Sequence, residues 1–349
     1  MLVFILALMM IVLSGLNAKG KNEFYNDYCS PKNTTTANAV FSVLIFISHG
    51  VTYIDMTNSL DDAYIGIKAF LAQGVVVTYL FYSGFGIMES IKKKGYNYVK
   101  RMPVDRFFKL WYQFALMLCL FIILNIFMKK EFPLSSNLLA FTGFKGIGND
   151  NWYLFVTFAL YIIVYLSFII CRKHHILAII GVFALTIAFI LFEIKIELPR
   201  WYFDTALCFP LGMLYSQIKP IVDKIVMKND ILWIIATTGV FVICMFGSQN
   251  RDEHLIFRML FMCSAPIFIT LLMMKIQCRS SILDWFGNHI FSFFMLQRIP
   301  MRLLEYLGFN HSPYLFICLA FFGTVVLSTI FDEIFSKLDK VIFKKRIKA

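Results

Sequence analysis

Residues 152–171, WYLFVTFALYIIVYLSFIIC, form a run of twenty residues without a charged side chain. At about 1.5 Å of rise per residue, a helix of this length spans the roughly 30 Å hydrocarbon core of a bilayer. Ten further apolar runs lie at residues 1–17, 38–55, 66–90, 107–128, 176–195, 201–217, 231–247, 255–275, 282–300 and 313–334. Because backbone polar groups at membrane depth must be bonded internally, these runs predict an all-α polytopic membrane protein.

The composition excludes most soluble classes of protein. Of the 349 residues, 59% are hydrophobic and 15% charged, and the mean hydropathy is +0.73. Soluble domains average roughly 45–50% apolar and about 25% charged residues. The excess of apolar surface therefore excludes a soluble enzyme, a disordered chain and a disulfide scaffold. Most of the 8 cysteines lie in apolar runs and none forms a C-x-x-C pair, so no metal site is expected.

We expect a single membrane unit with no soluble domain along its length. Its predicted parts are an extra N-terminal transmembrane helix at 1–17, a cytoplasmic linker at 18–37, a ten-helix membrane domain at 38–335 and a basic cytoplasmic tail at 336–349. A cleaved signal peptide is the alternative interpretation of the first run. That run lacks a basic start, and its removal would turn every basic loop outward, so a retained helix is favoured.

Lysine and arginine are concentrated in alternate loops, and this pattern predicts the orientation of the chain. The formal net charge is +12. The basic segments are 92–109, 172–173, 219–228, 275–279 and 337–348, and the loops between them are poorer in base and carry aspartate and glutamate. Because cytoplasmic loops carry the excess of Lys and Arg, we expect these segments and the C-terminus on the cytoplasmic side of a cell membrane. Short scattered basic loops offer no continuous surface for nucleic acid, which excludes that partner.

His49 is the most informative polar residue of the sequence. It follows the largely apolar segment Ala39–Ser48 and lies about 16 Å beyond Asn38, near the middle of the bilayer or slightly towards its outer face. Ionisable side chains at this depth are costly and usually face a cavity or a partner. Since imidazole transfers protons readily near neutral pH, we expect His49 in a functional site. The structural alternative is a neutral histidine bonded to a neighbouring helix.

Two glycines and a group of basic residues lie near the predicted inner surface. The glycines of Tyr82-Ser83-Gly84-Phe85-Gly86 favour close packing of helices, or the approach of a ligand to the backbone. Beyond them, Arg101, Arg106 and Lys109 form a predicted cationic collar that suits phosphate groups. Positive-inside topology and anionic lipid explain this collar equally well.

Aromatic and polar residues gather at the predicted outer face. Trp152 and Tyr153 begin one helix, and Trp201 begins another. Such residues suit a sugar through stacking and hydrogen bonds, although interfacial anchoring is the commoner role of aromatic residues at helix ends. Gln297 and Arg298 lie near the outer end of the run 282–300, where an arginine usually extends its charge to the interface.

Six motifs in this order resemble the acyltransferase 3 family of membrane O-acyltransferases, over residues 34–335. They are Phe46-Ile47-Ser48-His49, Gly74-Val75-Val76 followed by Tyr82-Ser83-Gly84-Phe85, Lys100-Arg101 with Arg106-x-x-Lys109, Trp152-Tyr153, Phe209-Pro210-Leu211-Gly212-Met213, and Leu283-Asp284-Trp285-Phe286-Gly287 followed by Phe294-Met295-Leu296-Gln297. Each motif is short, and the ordered set is more specific than any one of them.

The resemblance implies an activity and roles for individual residues. Family members transfer an acyl group, commonly acetyl, from cytoplasmic acyl-CoA to an extracytoplasmic acceptor, often a cell-surface glycan. The essential histidine of the family falls on His49. Three positions depart from the family pattern: Asn38 stands where the family has a basic residue, Lys109 replaces the second arginine of R-x-x-R, and Gln297 replaces a histidine.

The residues and the resemblance together predict a membrane O-acyltransferase that uses acyl-CoA, specifically acetyl-CoA, and a cell-surface or lipid-linked glycan. His49 is expected to act as general base, with an acyl-histidine intermediate as the less favoured route. The expected donor-binding residues are Arg101, Arg106, Lys109, Asn38 and Ser83. The expected acceptor-binding residues are Trp152, Tyr153, Trp201, Gln297 and Arg298. No permanently bound cofactor is expected, and the other partner is the lipid bilayer.

Two other functions remain as alternatives. A transporter or flippase for a lipid-linked glycan or small anion would use His49 as a proton relay, but such proteins usually show inverted repeats and several intramembrane charges, which this sequence lacks. A non-catalytic membrane subunit would be expected to carry soluble segments that bind its partner.

Overall fold

The computed structural model describes residues 1–56 and 59–343, and within them the chain is almost entirely helical. The helices are α1 (Leu2–Gly15), α2 (Pro31–Gly50), α3 (Ser59–Leu71), α4 (Val77–Lys94), α5 (Tyr96–Met102), α6 (Lys109–Phe127), α7 (Leu134–Ala140), α8 (Trp152–Cys171), α9 (His175–Lys195), α10 (Cys208–Val226), α11 (Asp230–Gln249), α12 (Leu255–Met273), α13 (Ser281–Asn288), α14 (Ile290–Leu296), α15 (Arg298–Tyr306) and α16 (Pro313–Ile342). Strands β1 (Leu16–Ala18) and β2 (Ile276–Cys278) pair antiparallel. The predicted all-α membrane architecture is confirmed. Lys344, Lys345, Arg346 and Lys348 of the predicted basic tail lie outside the described residues.

Seven helical segments of the described chain are long and apolar enough to cross a membrane. They are Gln73–Lys94, Tyr96–Phe127, Trp152–Cys171, His175–Lys195, Asp230–Asn250, Leu255–Met273 and Pro313–Ile342. Each corresponds to one predicted apolar run. The remaining four runs, at 1–17, 38–55, 201–217 and 282–300, form helices that are shorter, broken or polar at one end.

Helix α2 begins at Pro31, earlier than the start at 38 expected from hydropathy. The Ser30 hydroxyl oxygen accepts from the Asn33 N–H at 3.4 Å and so caps the helix. Pro31 fits the first turn, where no N–H is needed. The last seven residues of the predicted linker 18–37 are therefore helical. Because α2 ends at Gly50, His49 lies at the end of this helix, about 27 Å along its axis from Pro31.

The run 282–300 is three short helices rather than one. Its first break lies at His289, whose N–H bonds the Phe286 carbonyl at 3.1 Å, as in a tighter helix. The imidazole Nδ1 lies 2.8 Å from the Trp285 carbonyl oxygen, the group that the His289 N–H would bond in a regular α-helix. The two rings also stack, with centroids 4.2 Å apart. The side chain thus replaces a backbone hydrogen bond and ends α13.

Helices α4 and α10 approach so closely that their backbones touch. A Cβ atom at Gly84 would lie 2.0 Å from the Phe209 carbonyl oxygen, and one at Gly212 would lie 1.9 Å from the Phe81 carbonyl oxygen. Gly84 therefore serves helix packing, one of the two expectations from the sequence. Gly86 has open space around its Cα and lies on the wall of a cavity.

The basic loops meet at one end of the helical assembly, which we call the basic end. There the Lys275 ammonium donates to the Gly20 carbonyl at 2.7 Å, and the Lys109 ammonium lies 2.6 Å from the Asp339 carboxylate. Two loops predicted to lie on the outer side contact each other: the Tyr202 hydroxyl, in the 200–202 turn, donates to the Phe144 carbonyl at 3.2 Å. The loop containing Phe144 leads to the end of α2 at which His49 lies, and we call this the opposite end.

Candidate active site

His49 pairs with an aspartate that is distant in sequence. Its Nε2 lies 3.3 Å from Oδ2 of Asp150, and the two side chains are 20% and 28% exposed. His49 comes from the end of α2, whereas Asp150 comes from the loop just before α8. No described protein group hydrogen-bonds the buried Nδ1 atom of His49. The imidazole therefore has one nitrogen on a carboxylate and the other without a protein partner.

Arg298 binds the same carboxylate oxygen from the first turn of α15. Its Nε donates to Asp150 Oδ2 at 2.6 Å, and its Nη2 contacts that oxygen as well. Its Nη1 donates to the Tyr53 hydroxyl at 3.1 Å. A second cation lies nearby, since the Lys68 ammonium donates to the Ser48 carbonyl at 3.2 Å. The structure thus places one carboxylate and two cations around the histidine.

The loop that carries Asp150 is stabilised by the two asparagines that flank it. Asn149 Oδ1 accepts from the Ile147 N–H at 3.0 Å, and its amide nitrogen contacts Asn151. The Asn151 amide donates to the Lys145 carbonyl at 2.6 Å. Both asparagines are buried. Because their side chains bond within the loop and α7, Asp150 is the side chain of this triplet that contacts His49 and Arg298.

A large polar cavity lies at the basic end. Its volume is about 750 Å³, and Asn38 and Ser83, two of the expected donor-binding residues, lie on its wall. Lys93, Lys94 and Lys219 lie on its wall together with the acids Asp27 and Glu89, and the Lys219 ammonium lies 2.6 Å from the Asp223 carboxylate. In the sequence pattern, these three lysines indicate only the orientation of the chain. The lysine run 92–94, six to eight residues after Gly86 on the same helix, could have placed Lys93 and Lys94 at this cavity.

A narrow apolar passage lies between this cavity and His49. It has a volume of about 160 Å³ and shares Tyr79 and Ser83 with the wall of the cavity. Tyr153 and Phe294 also line it, with ring centroids 5.7 Å apart. The Phe294 ring lies 6.2 Å from the imidazole of His49. The cavity and the passage therefore share part of their walls, and Phe294 lies between the passage and the histidine.

The predicted cationic collar does not line the cavity. Arg101 Nε lies 2.8 Å from the Asp105 carboxylate, and Lys109 pairs with Asp339 of α16. Arg106 Nε donates to the Tyr98 hydroxyl at 2.8 Å. Pro103 lies at the start of a π-helical turn, Pro103–Phe108, that carries Arg106 between α5 and α6. The three cations thus bind side chains of the protein, and the walls of the cavity are formed by other residues.

The expected acceptor-binding residues fall in different environments. Arg298 lies at the histidine and Tyr153 lines the passage, while buried Trp152 contacts the Tyr153 ring edge-on at 5.9 Å. Gln297 is 1% exposed, and its amide donates to the Phe294 carbonyl at 2.8 Å. It therefore lies at the break between α14 and α15 rather than at an outer surface. Trp201 is 46% exposed, and in the described part of the chain no hydrogen bond or ring contact joins it to His49.

Cys29 is a nucleophilic side chain on the wall of the cavity that the sequence analysis did not single out. Burial raises the pKa of this thiol above its usual range. A thiol needs to ionise to act as a nucleophile. Cys29 is therefore poorly suited to carry an acyl group, in contrast to the paired histidine at the other end of the passage.

The comparisons with known proteins agree with this arrangement. No curated protein and no solved structure matches the chain. The model of the acyltransferase 3 family, described as an acyltransferase domain, matches residues 37–333. This match contains α2 with His49, the cavity lysines of α4 and α10, the Asp150 loop and α15 with Arg298. The chain therefore belongs to the acyltransferase 3 family and is a membrane acyltransferase.

Proposed function

We propose that the protein moves an acyl group, specifically acetyl, from acyl-CoA at its basic end to a hydroxyl group of a cell-surface or lipid-linked glycan at the opposite end. Membership of an acyltransferase family supports an enzyme over a transporter or flippase. One observation carries the proposal: the His49–Asp150–Arg298 cluster lies beside Phe294, a wall residue of a passage that shares Tyr79 and Ser83 with the lysine-lined cavity. The basic end is then the cytoplasmic face of a cell membrane, and the C-terminus lies there.

Asp150 selects the nitrogen that acts as base. An ionised carboxylate only accepts hydrogen bonds, so the Nε2 atom 3.3 Å away carries the ring proton. Nδ1 is then unprotonated and available to take a proton from an acceptor hydroxyl. Arg298 donates to the same Oδ2 atom and so fixes the oxygen that faces the imidazole. Asp150 also stabilises the imidazolium that forms when Nδ1 becomes protonated.

The transfer then proceeds without a covalent enzyme intermediate. Nδ1 of His49 takes the proton of the acceptor hydroxyl while its oxygen attacks the thioester carbonyl and forms a C–O bond. The tetrahedral intermediate collapses by breaking the C–S bond. The imidazolium returns its proton to the departing thiolate, so the products are the O-acyl glycan and the CoA thiol. An acyl-histidine route would require Nδ1 itself to attack the carbonyl and adds a second transfer step.

The cavity and the passage suit different parts of the donor. The phosphates of CoA carry negative charge, which favours the cavity with Lys93, Lys94 and Lys219 on its walls. The smaller, mainly apolar passage beside Tyr79 and Ser83 suits the uncharged acyl-pantetheine arm better than the charged nucleotide. The donor would therefore keep its charged part at the basic end while its thioester reaches His49. This assignment moves phosphate binding from the predicted collar to the lysines of the cavity.

The test compares two histidines that each have an aspartate neighbour. His49→Gln removes the proposed base, whereas His289→Gln changes an imidazole that stacks on Trp285 and lies 3.8 Å from Asp332. Each variant is produced in cells that lack the native protein, at matched levels, and ester-linked acyl groups on the surface polysaccharide are measured by mass spectrometry. We expect His49→Gln to lower acylation by about 100-fold or more and His289→Gln to retain it. Unchanged acylation in His49→Gln would overturn the proposal.

A further inference from the structure

A buried arginine lies one helical turn beyond Arg298 on α15. Arg302 is 4% exposed. Its Nη2 donates to Asn125 Oδ1 at 2.7 Å, and its Nη1 donates to the Ile147 carbonyl at 3.4 Å. In the part of the chain that the structure describes, neither nitrogen pairs with a carboxylate. Residues four apart share one face of a helix, so both arginines of α15 point towards the loop 145–151.

The loop is shaped to receive this guanidinium. Gly148 has φ +101°, a conformation that favours glycine, and a Cβ atom there would lie 2.0 Å from Arg302 Nη1. The guanidinium therefore lies directly against the backbone of the loop. Asn125 completes the contact, since its amide donates to the Ile147 carbonyl at 2.8 Å. One carbonyl oxygen of the loop is thus held by α6 and α15 together.

Burying the guanidinium of Arg302 costs free energy of folding, so its contacts call for a role in holding the loop. A buried charge without a carboxylate partner loses its hydration, and an apolar side chain of similar size would often be less costly for stability. The hydrogen bonds of Arg302 go to the loop and to the asparagine that holds it. Three residues beyond Ile147, the loop presents Asp150 to His49.

We propose that Arg302 is a positioning residue: together with Asn125 and Gly148 it fixes the loop 145–151 so that Asp150 stays within reach of His49. The proposal rests on the proposed function for its effect on catalysis. A displacement of about 1 Å at a catalytic group can cost about 100-fold in rate. Loss of the guanidinium therefore acts on the transfer step through Asp150 and leaves donor binding at the far cavity unchanged.

The catalytic test is a double-mutant cycle with Arg302→Lys and Asp150→Asn. Lysine keeps the charge but loses the fork that contacts Asn125 and Ile147 together. We expect Arg302→Lys alone to lower kcat by about 10- to 100-fold with an unchanged KM for acetyl-CoA. In the Asp150→Asn background, Arg302→Lys should lower kcat by less than about twofold, because its effect on catalysis acts through Asp150. If the decreases in kcat of the two single variants multiply in the double variant, the proposal is overturned.

A second measurement reports on the loop independently of any activity. Amide hydrogen exchange of the peptide covering 141–151 should be faster in Arg302→Lys and in Gly148→Ala than in the native protein. Arg258→Lys is the matched control, because Arg258 is also a buried arginine and binds Asp204, 3.3 Å away, in another segment. Unchanged exchange in Arg302→Lys would overturn the proposal. If exchange is faster in Arg302→Lys but His49→Gln retains full acyl transfer, the proposed function is refuted, whereas the role of Arg302 in holding the loop is supported.

Discussion

Replacing Asp150 with asparagine tests the candidate site at the side chain that orients its histidine. The substitution keeps the size of the side chain and removes its charge. His49 Nε2 and Arg298 Nε lie 3.3 and 2.6 Å from the same Oδ2 atom. A neutral amide oxygen accepts both hydrogen bonds more weakly and does not stabilise an imidazolium. We therefore expect kcat to fall, while the KM for acetyl-CoA stays unchanged because the lysine-lined cavity is at the basic end.

The size of the loss follows from the geometry. In the Ser-His-Asp triad, the equivalent change lowers turnover by about 10⁴-fold, where the aspartate is buried. Here the His49–Asp150 contact is 3.3 Å long and the two side chains are 20% and 28% exposed, so solvent screens part of the interaction. We expect a decrease of about 10²- to 10³-fold, or about 2.7–4 kcal/mol of transition-state stabilisation.

The assay uses membrane vesicles that contain each variant at matched levels. Radiolabelled acetyl-CoA and acceptor polysaccharide from cells that lack the protein are added, and initial rates of ester-linked label give kcat and KM. Asp332→Asn is the control, since Asp332 Oδ2 lies 3.8 Å from Nε2 of His289. The reasoning is refuted if Asp150→Asn lowers kcat by less than about threefold, or if Asp332→Asn lowers it equally.

Two further predictions concern helix packing and the donor cavity. Gly84→Ala places a Cβ atom 2.0 Å from a backbone carbonyl oxygen and should destabilise the protein by about 1–3 kcal/mol, measured as a lower thermal midpoint in detergent. Gly239→Ala is the control and should not lower the midpoint, because no atom lies within 4 Å of the added Cβ. Equal midpoints for the two variants would contradict the packing argument. Lys93→Gln removes one exposed charge from the cavity wall and should raise the KM for acetyl-CoA about two- to fivefold, the effect of an exposed ion pair of up to about 1 kcal/mol. Lys173→Gln, at an exposed loop outside the cavity, is the control, and an equal increase there would show that the effect comes from general surface charge.

The membrane helices were predictable wherever the sequence stays apolar. The run 152–171 forms Trp152–Cys171, and 176–195 forms His175–Lys195, because hydropathy alone sets the length of a spanning helix. The same criterion misplaced the start of α2, where Ser30 and Pro31 begin a helix among polar residues. It also missed the break at His289, because a hydrogen bond from a side chain to the backbone does not change the hydropathy of the segment.

The candidate site was predictable at its histidine but not at the histidine's partners. His49 stands out because an ionisable group follows an apolar segment. Asp150 is 101 residues away, in one of the acid-bearing loops between the basic segments, and nothing local joins it to α2. Binding of the acceptor stays a prediction for Arg298, and its contact with Asp150 depends on the break that lets α15 start beside this loop. Pairings of this kind depend on tertiary packing, which a sequence pattern does not encode directly.

The narrowness of the passage has a consequence for the membrane itself. Its volume is about 160 Å³, and its lining residues are mostly aromatic or aliphatic. Five hydroxyl-bearing residues, Tyr79, Ser83, Tyr153, Thr157 and Tyr161, lie among apolar ones, so a water molecule finds few polar partners there. On the proposed function, a segment with so little polar surface hinders the flow of protons and small ions while the enzyme connects the two faces of the membrane. It also keeps water from the basic end away from a reactive thioester, so that wasteful hydrolysis is restricted to water arriving with the acceptor.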